Sequence, residues 1–226
     1  MSNRKTDFKI GEWYHCYNRS IENRAAFVDY QDYQRFLELL YLANDETRLR
    51  RNDLGIERFE EAFTFPRGER LVALGAFCLM GNHFHLALQE VTEGGITTFM
   101  RKMGTAYTLY FNSRHARTGN LFLKPFRSRE VSRAALPKLI HYVHSTPAGL
   151  YEPQWQAHHV VDPQFLEERL MAYPYSSLRA YTGARGPTSA ILDAQTLADA
   201  RMTPLTTRLQ DARRYAADLP RSYSVL

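Results

Sequence analysis

Apolar and aromatic residues form two kinds of pattern along the first two thirds of the chain. Segments 8–20, 71–80 and 83–90 are short runs rich in apolar and aromatic residues, which is typical of β-strands. Only Gly81 and Asn82 separate the second segment from the third. A turn pair of this kind between two strands predicts a β-hairpin.

Three other segments repeat their apolar residues at the i, i+3, i+4 spacing of an amphipathic helix. They span 30–46, 96–115 and 133–146, and Pro147 stops the last of them. The apolar stripes of the first two are Tyr33, Phe36, Leu37, Leu40 and Tyr41, and then Phe99, Met103, Tyr107, Tyr110 and Phe111. Each stripe is expected to face a core.

The remaining segments complete the predicted order of secondary-structure elements. Segment 117–132 predicts a turn and an extended strand, and the charged stretch 45–70 predicts a loop or a short helical insert. The order is then strand, helix, strand, strand, helix, strand, helix. We expect an α+β fold with a ferredoxin-like β-α-β-β-α-β core, an antiparallel sheet and an extra helix. Beyond Pro147 the pattern weakens, although 209–219 is expected to form a terminal helix.

Composition narrows the class of protein. With 226 residues, 44% of them hydrophobic, the chain is long enough for one domain with a substantial core. Its two cysteines, Cys16 and Cys78, form no CxxC pair, which argues against a zinc ribbon or a disulfide framework. The N-terminal segment lacks the apolar stretch of a signal peptide, and no run is long enough to span a membrane. A reduced cytoplasmic compartment is expected.

The distribution of charge is more informative than the net charge of +5. Between residues 101 and 133 the only acidic residue is Glu130. The basic residues there are Arg101, Lys102, Arg114, Arg117, Lys124, Arg127, Arg129 and Arg133, and the interleaved aromatic residues are Tyr107, Tyr110, Phe111, Phe122 and Phe126. Basic residues bind phosphates and aromatic rings stack on unpaired bases, so this region predicts a nucleic-acid surface. The alternative is a solvated helix face, although such faces more often mix charges of both signs.

The segment GNHFHLAL, residues 81–88, carries two histidines within a predicted strand. Residues two apart on a strand point to the same face, so His83 and His85 are close enough to share one divalent metal ion. Hydrogen-bonded core histidines are the alternative interpretation. Two buried imidazoles without partners would be costly, however, and the pair follows a tight turn near the end of the sheet.

Tyr142 lies near the end of the last predicted helix, in LIHYVHSTP, between His141 and His144. A tyrosine can act as a covalent nucleophile on phosphorus when a metal ion polarises the phosphate. The alternative is a core tyrosine at helical spacing beside Leu139 and Ile140, since the chain has fourteen tyrosines.

Taken together, these segments resemble a known family. GNHFHLAL resembles the histidine–hydrophobe–histidine (HUH) motif of single-strand DNA nucleases, in particular the IS200-like Y1 transposases and, among them, the REP-associated tyrosine transposases (RAYTs). Four further stretches resemble the same family: WYHCYNRSIENRAAF (13–27), TAYTLYFNSRHARTGNLFLKPFRS (105–128), LIHYVHSTPAGL (139–150) and YPYSSLRAYTG (173–183). The resemblance spans roughly residues 8–183. It implies a transposase domain over 1–183 and a C-terminal extension, expected to be helical, over 184–226.

The resemblance implies a mechanism. Tyr142 would attack a backbone phosphate of single-stranded DNA, forming a 5′-phosphotyrosine link and releasing a 3′-hydroxyl. His83 and His85 would hold Mg²⁺ or Mn²⁺. The family's third ligand is an asparagine or glutamine four residues after the tyrosine, where this chain has Thr146, whose hydroxyl is shorter and a poorer ligand. The basic residues that the charge pattern predicts to contact DNA are Arg101, Lys102, Arg114, Arg117, Lys124, Arg127 and Arg129. Tyr107 and Tyr110 match family positions that are packing or DNA-facing, and they are competing nucleophile candidates.

Three functions therefore stay open from the sequence. The first is metal-dependent cleavage and rejoining of single-stranded or hairpin DNA, such as REP-like palindromes. The second, suggested by Thr146, is a catalytically impaired protein that binds the same hairpins. The third is an RNA-binding or RNA-cleaving ferredoxin-like module in which the histidines perform acid–base chemistry. The long C-terminal extension favours a monomer over the shared-site dimer of IS200 transposases.

Overall fold

A computed structural model describes residues 7–47, 51–157, 160–199 and 203–219. The ends of the two predicted domain ranges, residues 1–6 and 220–226, lie outside the described residues, and the boundary between the ranges remains a prediction. The four strands are β1 (Trp13–Arg19), β2 (Val72–Met80), β3 (His83–Glu90) and β4 (Arg127–Val131). The α-helices are α1 (Tyr30–Leu42), α2 (Gly95–Arg114), α3 (Leu136–Ser145), α4 (Pro163–Ala172), α5 (Ala194–Asp199) and α6 (Leu205–Ala217).

The strands form one sheet in the order β2-β3-β1-β4, with every neighbouring pair antiparallel. Together with the order of elements along the chain, this arrangement is the ferredoxin-like core that the hydrophobic pattern predicts. The predicted hairpin is also confirmed, since β2 and β3 pair directly on either side of Gly81 and Asn82.

One face of the sheet forms the larger hydrophobic core. Phe84, Leu86 and Leu88 alternate along β3 onto this face, where α1 and α2 cover them. The stripe of α2 packs here as predicted, with Phe99 and Met103 fully buried. This face therefore supplies the large interdigitating side chains that stabilise the fold.

The opposite face of the sheet carries smaller and more polar side chains. The apolar residues here include Ala76, Cys78 and Ala87, and they pack against α3, α4 and α6. His83 and His85 point to the same side, because they alternate with Phe84 and Leu86 along β3. The sheet thus separates a conventional core on one face from a polar cluster on the other.

The segment 173–183 covers the exposed edge of β2, which is an edge strand of the sheet. The Tyr173 hydroxyl donates to the Leu79 carbonyl at 2.7 Å, and the Leu79 amide donates to the Tyr175 carbonyl at 2.9 Å. The Phe77 amide donates to Ser177 Oγ at 3.0 Å. These contacts satisfy backbone groups that an exposed edge would offer to other chains.

The structure departs from the sequence-based expectations in several places. The first strand covers 13–19 instead of 8–20, and α1 ends at Leu42. α1 is buried on more than one stripe, because the insert contributes a 3₁₀ turn, Phe59–Phe63, that packs on it. α3 ends before Pro147 as expected, but the chain continues as the 3₁₀ segment Thr146–Leu150.

Two helices follow α3 in the part of the chain where the pattern weakens. α4 is stabilised at its start by Asp162, whose side chain accepts a hydrogen bond from the Phe165 amide, and by Pro163 in the first turn. α6 covers most of the predicted terminal helix, extending from 205 to 217. Over the described ranges, the helices are all too short or too polar to cross a membrane.

Glu90, the last residue of β3, fixes the start of α2. Its buried carboxylate accepts hydrogen bonds from the Gly95 and Ile96 amides at 3.0 and 2.7 Å. These are N-terminal amides without partners inside the helix, and the helix dipole favours a negative charge there. A Cβ on Gly95 would lie 2.1 Å from the Leu71 carbonyl oxygen, so only glycine allows this close approach.

We predict that Glu90→Gln lowers the free energy of unfolding by about 1–3 kcal/mol, measured by urea denaturation. An amide accepts through one oxygen only, so either the Ile96 amide or the Gly95 amide, which also donates to the Thr92 carbonyl, would face an NH₂ group in place of an oxygen. Glu93→Gln is the matched control, because Glu93 lies exposed in the same loop. Equal stability of the two variants would contradict this role of Glu90.

Candidate functional site

Tyr142 is directed at the sheet by the apolar face of α3. Leu139 and Val143 on this face are fully buried, and Pro137 lies in the first turn of the helix, where its missing amide proton costs nothing. The Tyr142 ring lies 5.4 Å from the His85 ring, between centroids. The fold therefore brings together two residues that are 57 positions apart in the sequence, 142 minus 85.

His83 is held in one tautomer by its neighbour. Its Nδ1 lies 2.6 Å from Asn82 Oδ1, and the Asn82 amide nitrogen donates to Asn23 Oδ1. The Asn82 oxygen must therefore accept the proton from His83 Nδ1. His83 Nε2 then carries a lone pair, and this atom is buried without a hydrogen-bond partner.

His85 is hydrogen-bonded to a third imidazole, that of His15 on β1. His85 Nδ1 and His15 Nε2 are 2.8 Å apart, and both side chains are buried. His85 Nε2 has no hydrogen-bond partner. When His85 Nδ1 is the donor, His85 Nε2 presents a lone pair on the same sheet face as that of His83.

His15 is a site residue that the sequence-based analysis missed. Its ring lies 5.6 Å from that of Tyr142 and 5.1 Å from that of His85. The available signal was the alternation in WYHCYNR, which places His15 and Tyr17 on the same strand face. Only the pairing of β1 with β3, with Tyr17 opposite His85, shows which face that is.

His83 Nε2 and His85 Nε2 are the two atoms of the site that could hold a divalent metal ion. Buried polar atoms without partners are rare and costly, so the three on this face, His83 Nε2, His85 Nε2 and His15 Nδ1, indicate a missing partner. The second ring nitrogen of each ligand is hydrogen-bonded, as is usual for metal-binding histidines.

Thr146, the predicted third metal ligand, is less well placed to bind a metal ion than the two histidines. Thr146 Oγ1 donates to the Tyr142 carbonyl at 3.0 Å, which commits its proton to the helix backbone. Within the described ranges, no group of three or more His, Cys, Asp and Glu side chains could hold a metal ion. A metal ion on His83 and His85 would therefore need further ligands of another kind.

α6 covers the site from the solvent side. The Tyr215 ring packs 5.2 Å from Tyr142 and 5.7 Å from His15. His141 Nδ1 pairs with Asp211 of α6 at 2.9 Å, which fastens α6 to α3. Tyr142 is left only 3% exposed, so a phosphate can reach its hydroxyl only if this cover moves.

Burial dominates the electrostatics of the site. It lowers the pKa of His15 to about 3, with a smaller effect from Arg129, and that of His83 to about 4, with a smaller effect from Arg19. It also lowers the pKa of His85 well below the usual range and raises that of the Tyr142 phenol. The covered site therefore holds neutral imidazoles and an un-ionised phenol.

The structure places several of the predicted DNA-binding residues in intramolecular contacts. Lys102 Nζ donates to two backbone carbonyls, of Asp45 and Thr47. Arg114 forms salt bridges of 2.7 Å with both Asp29 and Asp32.

Tyr107 is another of these residues. It is fully buried and donates to the Ala26 carbonyl at 2.7 Å, which corrects the expectation of a DNA-facing ring, because its helical spacing reflects core packing. Tyr110 is half-buried beneath Arg35, with the guanidinium 5.8 Å from the ring centre.

The other predicted basic residues lie nearer the surface in three places. Arg127 and Arg129 are on β4, and Arg129 lies opposite His15 in the register. The Arg129 guanidinium donates to the Asp218 carbonyl at 2.9 Å and lies 5.5 Å from the Tyr215 ring centre. Arg101 and Lys124 line a groove beside α2. Arg117 lies past the end of α2, where it donates to Asn112 Oδ1 at 3.3 Å.

We predict that stability falls between pH 7.5 and 5.5 in metal-free buffer, measured as the urea midpoint. Burial lowers the folded-state pKa of His15 and His144 to about 3 and of His83 to about 4. An unfolded histidine binds a proton near pH 6.5, so the unfolded chain binds more protons below that pH. Each such histidine then costs up to about 1.4 kcal/mol per pH unit.

A His144→Gln variant, which keeps a polar group beside Ser177, should show a shallower pH dependence than the unchanged protein. Equal urea midpoints for the unchanged protein at pH 7.5 and 5.5 would contradict the burial of neutral histidines.

Comparison with known proteins supports the fold. No protein-family model matches the chain, and no curated protein matches it. Among solved structures, the chain is similar to a REP-associated tyrosine transposase bound to a REP hairpin, with a TM-score of 0.53. The two are 11% identical, over 83% of this chain and 90% of that one. At this identity the likeness shows the fold alone, a mixed helix-and-strand domain around a four-stranded antiparallel sheet.

Proposed function

We propose that the protein binds single-stranded or hairpin DNA and cleaves and rejoins it through a covalent bond to Tyr142, as a transposase-type enzyme. The observation that carries this proposal is the packing of the Tyr142 ring against His85, beside two buried histidine nitrogens without partners. The DNA complex of the structurally similar transposase supports the choice of DNA as substrate.

The proposed reaction is a transesterification at phosphorus. Tyr142 Oη gives up its proton and forms a bond to the phosphorus of a backbone phosphodiester, while the bond from phosphorus to the 3′-oxygen breaks. The leaving 3′-oxygen takes up a proton, so the step neither gains nor loses protons overall. The phosphotyrosine keeps the phosphoester, so a free 3′-hydroxyl can reverse the step without ATP. Mg²⁺ or Mn²⁺ held by His83 and His85 would polarise the scissile phosphate and offset its developing charge.

The basic residues of β4 support the approach of a polyanion. Arg127 and Arg129 occupy register positions opposite Tyr17 and His15, on the face of the sheet that carries the histidines. Phosphates of a bound strand could pair with these guanidinium groups while the scissile phosphate lies at Tyr142.

We predict that labelled single-stranded hairpin DNA forms a covalent adduct with the protein in Mn²⁺, and that Tyr142→Phe abolishes it. His83→Ala and His85→Ala should each lower the yield by about tenfold or more, because each removes one ligand. Denaturing electrophoresis measures the adduct. Tyr110→Phe is the matched control, since Tyr110 is another tyrosine considered as nucleophile and lies on a different helix. An adduct that survives Tyr142→Phe, or that never forms, would rule out the enzyme.

The second candidate function is hairpin binding without cleavage. Thr146 favours it, because its hydroxyl proton is bonded to the Tyr142 carbonyl and a hydroxyl is a poorer metal ligand than a carboxamide. A protein with this function would bind hairpin DNA in a salt-sensitive way, because binding releases counterions, and it would form no adduct with any metal ion.

We predict that Thr146→Asn raises the adduct yield by about tenfold, because a carboxamide oxygen supplies the ligand that the hydroxyl supplies poorly. Thr146→Val is the control, since both changes remove the hydrogen bond to Tyr142 and only asparagine adds a donor oxygen. The measurement is adduct yield against Mn²⁺ concentration. A rise with valine as large as that with asparagine would assign the effect to backbone release instead.

A further inference from the structure

The two candidate metal ligands differ in what fixes the position of their protons. His83 Nδ1 faces the Asn82 carboxamide oxygen, which can only accept, because the Asn82 amide nitrogen already donates to Asn23. His83 Nε2 therefore keeps its lone pair whether or not a cation is bound. His85 Nδ1 faces His15 Nε2 at 2.8 Å, and an imidazole nitrogen can either donate or accept. The hydrogen bond alone does not decide which nitrogen of His85 carries the proton.

The neutral His15–His85 pair has two arrangements of its protons. When His15 Nε2 donates, His85 carries its proton on Nε2, and this nitrogen cannot bind a cation. When His85 Nδ1 donates, His85 Nε2 has a free lone pair and His15 carries its proton on Nδ1. His85 Nε2 and His15 Nδ1 are both buried without a hydrogen-bond partner. Each arrangement thus leaves one donor and one acceptor unsatisfied, so hydrogen bonds within the protein favour neither.

His15 is not placed to bind the cation directly. Its Nε2 is taken up by His85, and across the ranges that the structure describes no group of three or more His, Cys, Asp and Glu side chains could hold a metal ion. The His15 side chain is fully buried, and its ring centre lies 5.1 Å from that of His85 and 4.8 Å from that of Tyr17. These contacts fix the His15 ring, so any effect on the cation passes through His85.

We propose that His15 is a positioning residue that accepts the Nδ1 proton of His85, and that a cation at His85 Nε2 selects this arrangement of the pair. The proposal rests on the metal site of the proposed function and adds a residue that sets its affinity. The pair holds two protons in both arrangements, so the cation changes their positions and not their number. His83 is prepared for the cation in advance, whereas His85 is prepared only together with His15.

Two substitutions of His15 separate the hydrogen bond from the packing. His15→Phe keeps an aromatic ring but removes the acceptor, whereas His15→Gln supplies a carboxamide oxygen that can accept from His85 Nδ1. His144→Gln is the matched control, because His144 is another buried histidine and bonds to Ser177. Electron paramagnetic resonance of free Mn²⁺ measures the affinity in the absence of DNA, and urea midpoints show that each variant is folded.

We predict that His15→Phe weakens Mn²⁺ binding by about tenfold or more, as loss of a group bonded to a metal ligand usually does, and that His15→Gln stays within about threefold of the unchanged protein. His144→Gln should bind Mn²⁺ like the unchanged protein. Equal Mn²⁺ affinity of His15→Phe and the unchanged protein would overturn the proposal, and so would an equal loss in His15→Phe and His15→Gln.

Nitrogen-15 NMR of the histidines gives a readout that packing alone would not change. With Zn²⁺ as a diamagnetic probe, His15 should carry its proton on Nδ1, and a proton on His15 Nε2 in the loaded protein would overturn the proposal. Neither measurement uses DNA. A failure here, together with a DNA adduct that requires Tyr142, would therefore reject the role of His15 and leave the proposed function in place.

Discussion

The alternation of side chains along β3 is the constraint on which the rest of the structure depends. Phe84, Leu86 and Leu88 must share one face, so His83 and His85 must share the other. A shift of one residue in the pairing with β1 would exchange the two faces. The large core residues therefore fix the register that also aligns the histidines with His15 and Tyr142.

The separation of the large apolar side chains and the histidines onto opposite faces of the sheet explains how the fold tolerates a costly polar cluster. The core around α1 and α2 contains most of the large buried apolar side chains. The site face uses Ala76, Cys78 and Ala87 instead, which leaves space for imidazole and phenol rings. Neutral buried imidazoles avoid the larger cost of buried charge, but three histidine nitrogens, one each on His15, His83 and His85, still lack a hydrogen-bond partner.

The fold could be predicted from local sequence patterns, but features that depend on long-range contacts could not. The hairpin, α1 and α2 follow from turn residues and spacing that are complete within each segment. His15 could not be assigned, because its role depends on a hydrogen bond to a residue 70 positions away. The same is true of Lys102, whose bonds to backbone carbonyls near Asp45 have no signal in sequence. α4 was not predicted, although Asp162 and Pro163 form an ordinary helix start.

The central claim is that His83 and His85 Nε2 form a cation site beside Tyr142. Pulsed electron paramagnetic resonance of the Mn²⁺-loaded protein tests it most directly, because it detects imidazole nitrogen bound to manganese. The account predicts two coupled histidine nitrogens, one of them lost in His83→Ala and both lost in the double variant with His85→Ala. Mn²⁺ coupled only to water, or nitrogen couplings that survive both substitutions, would contradict it.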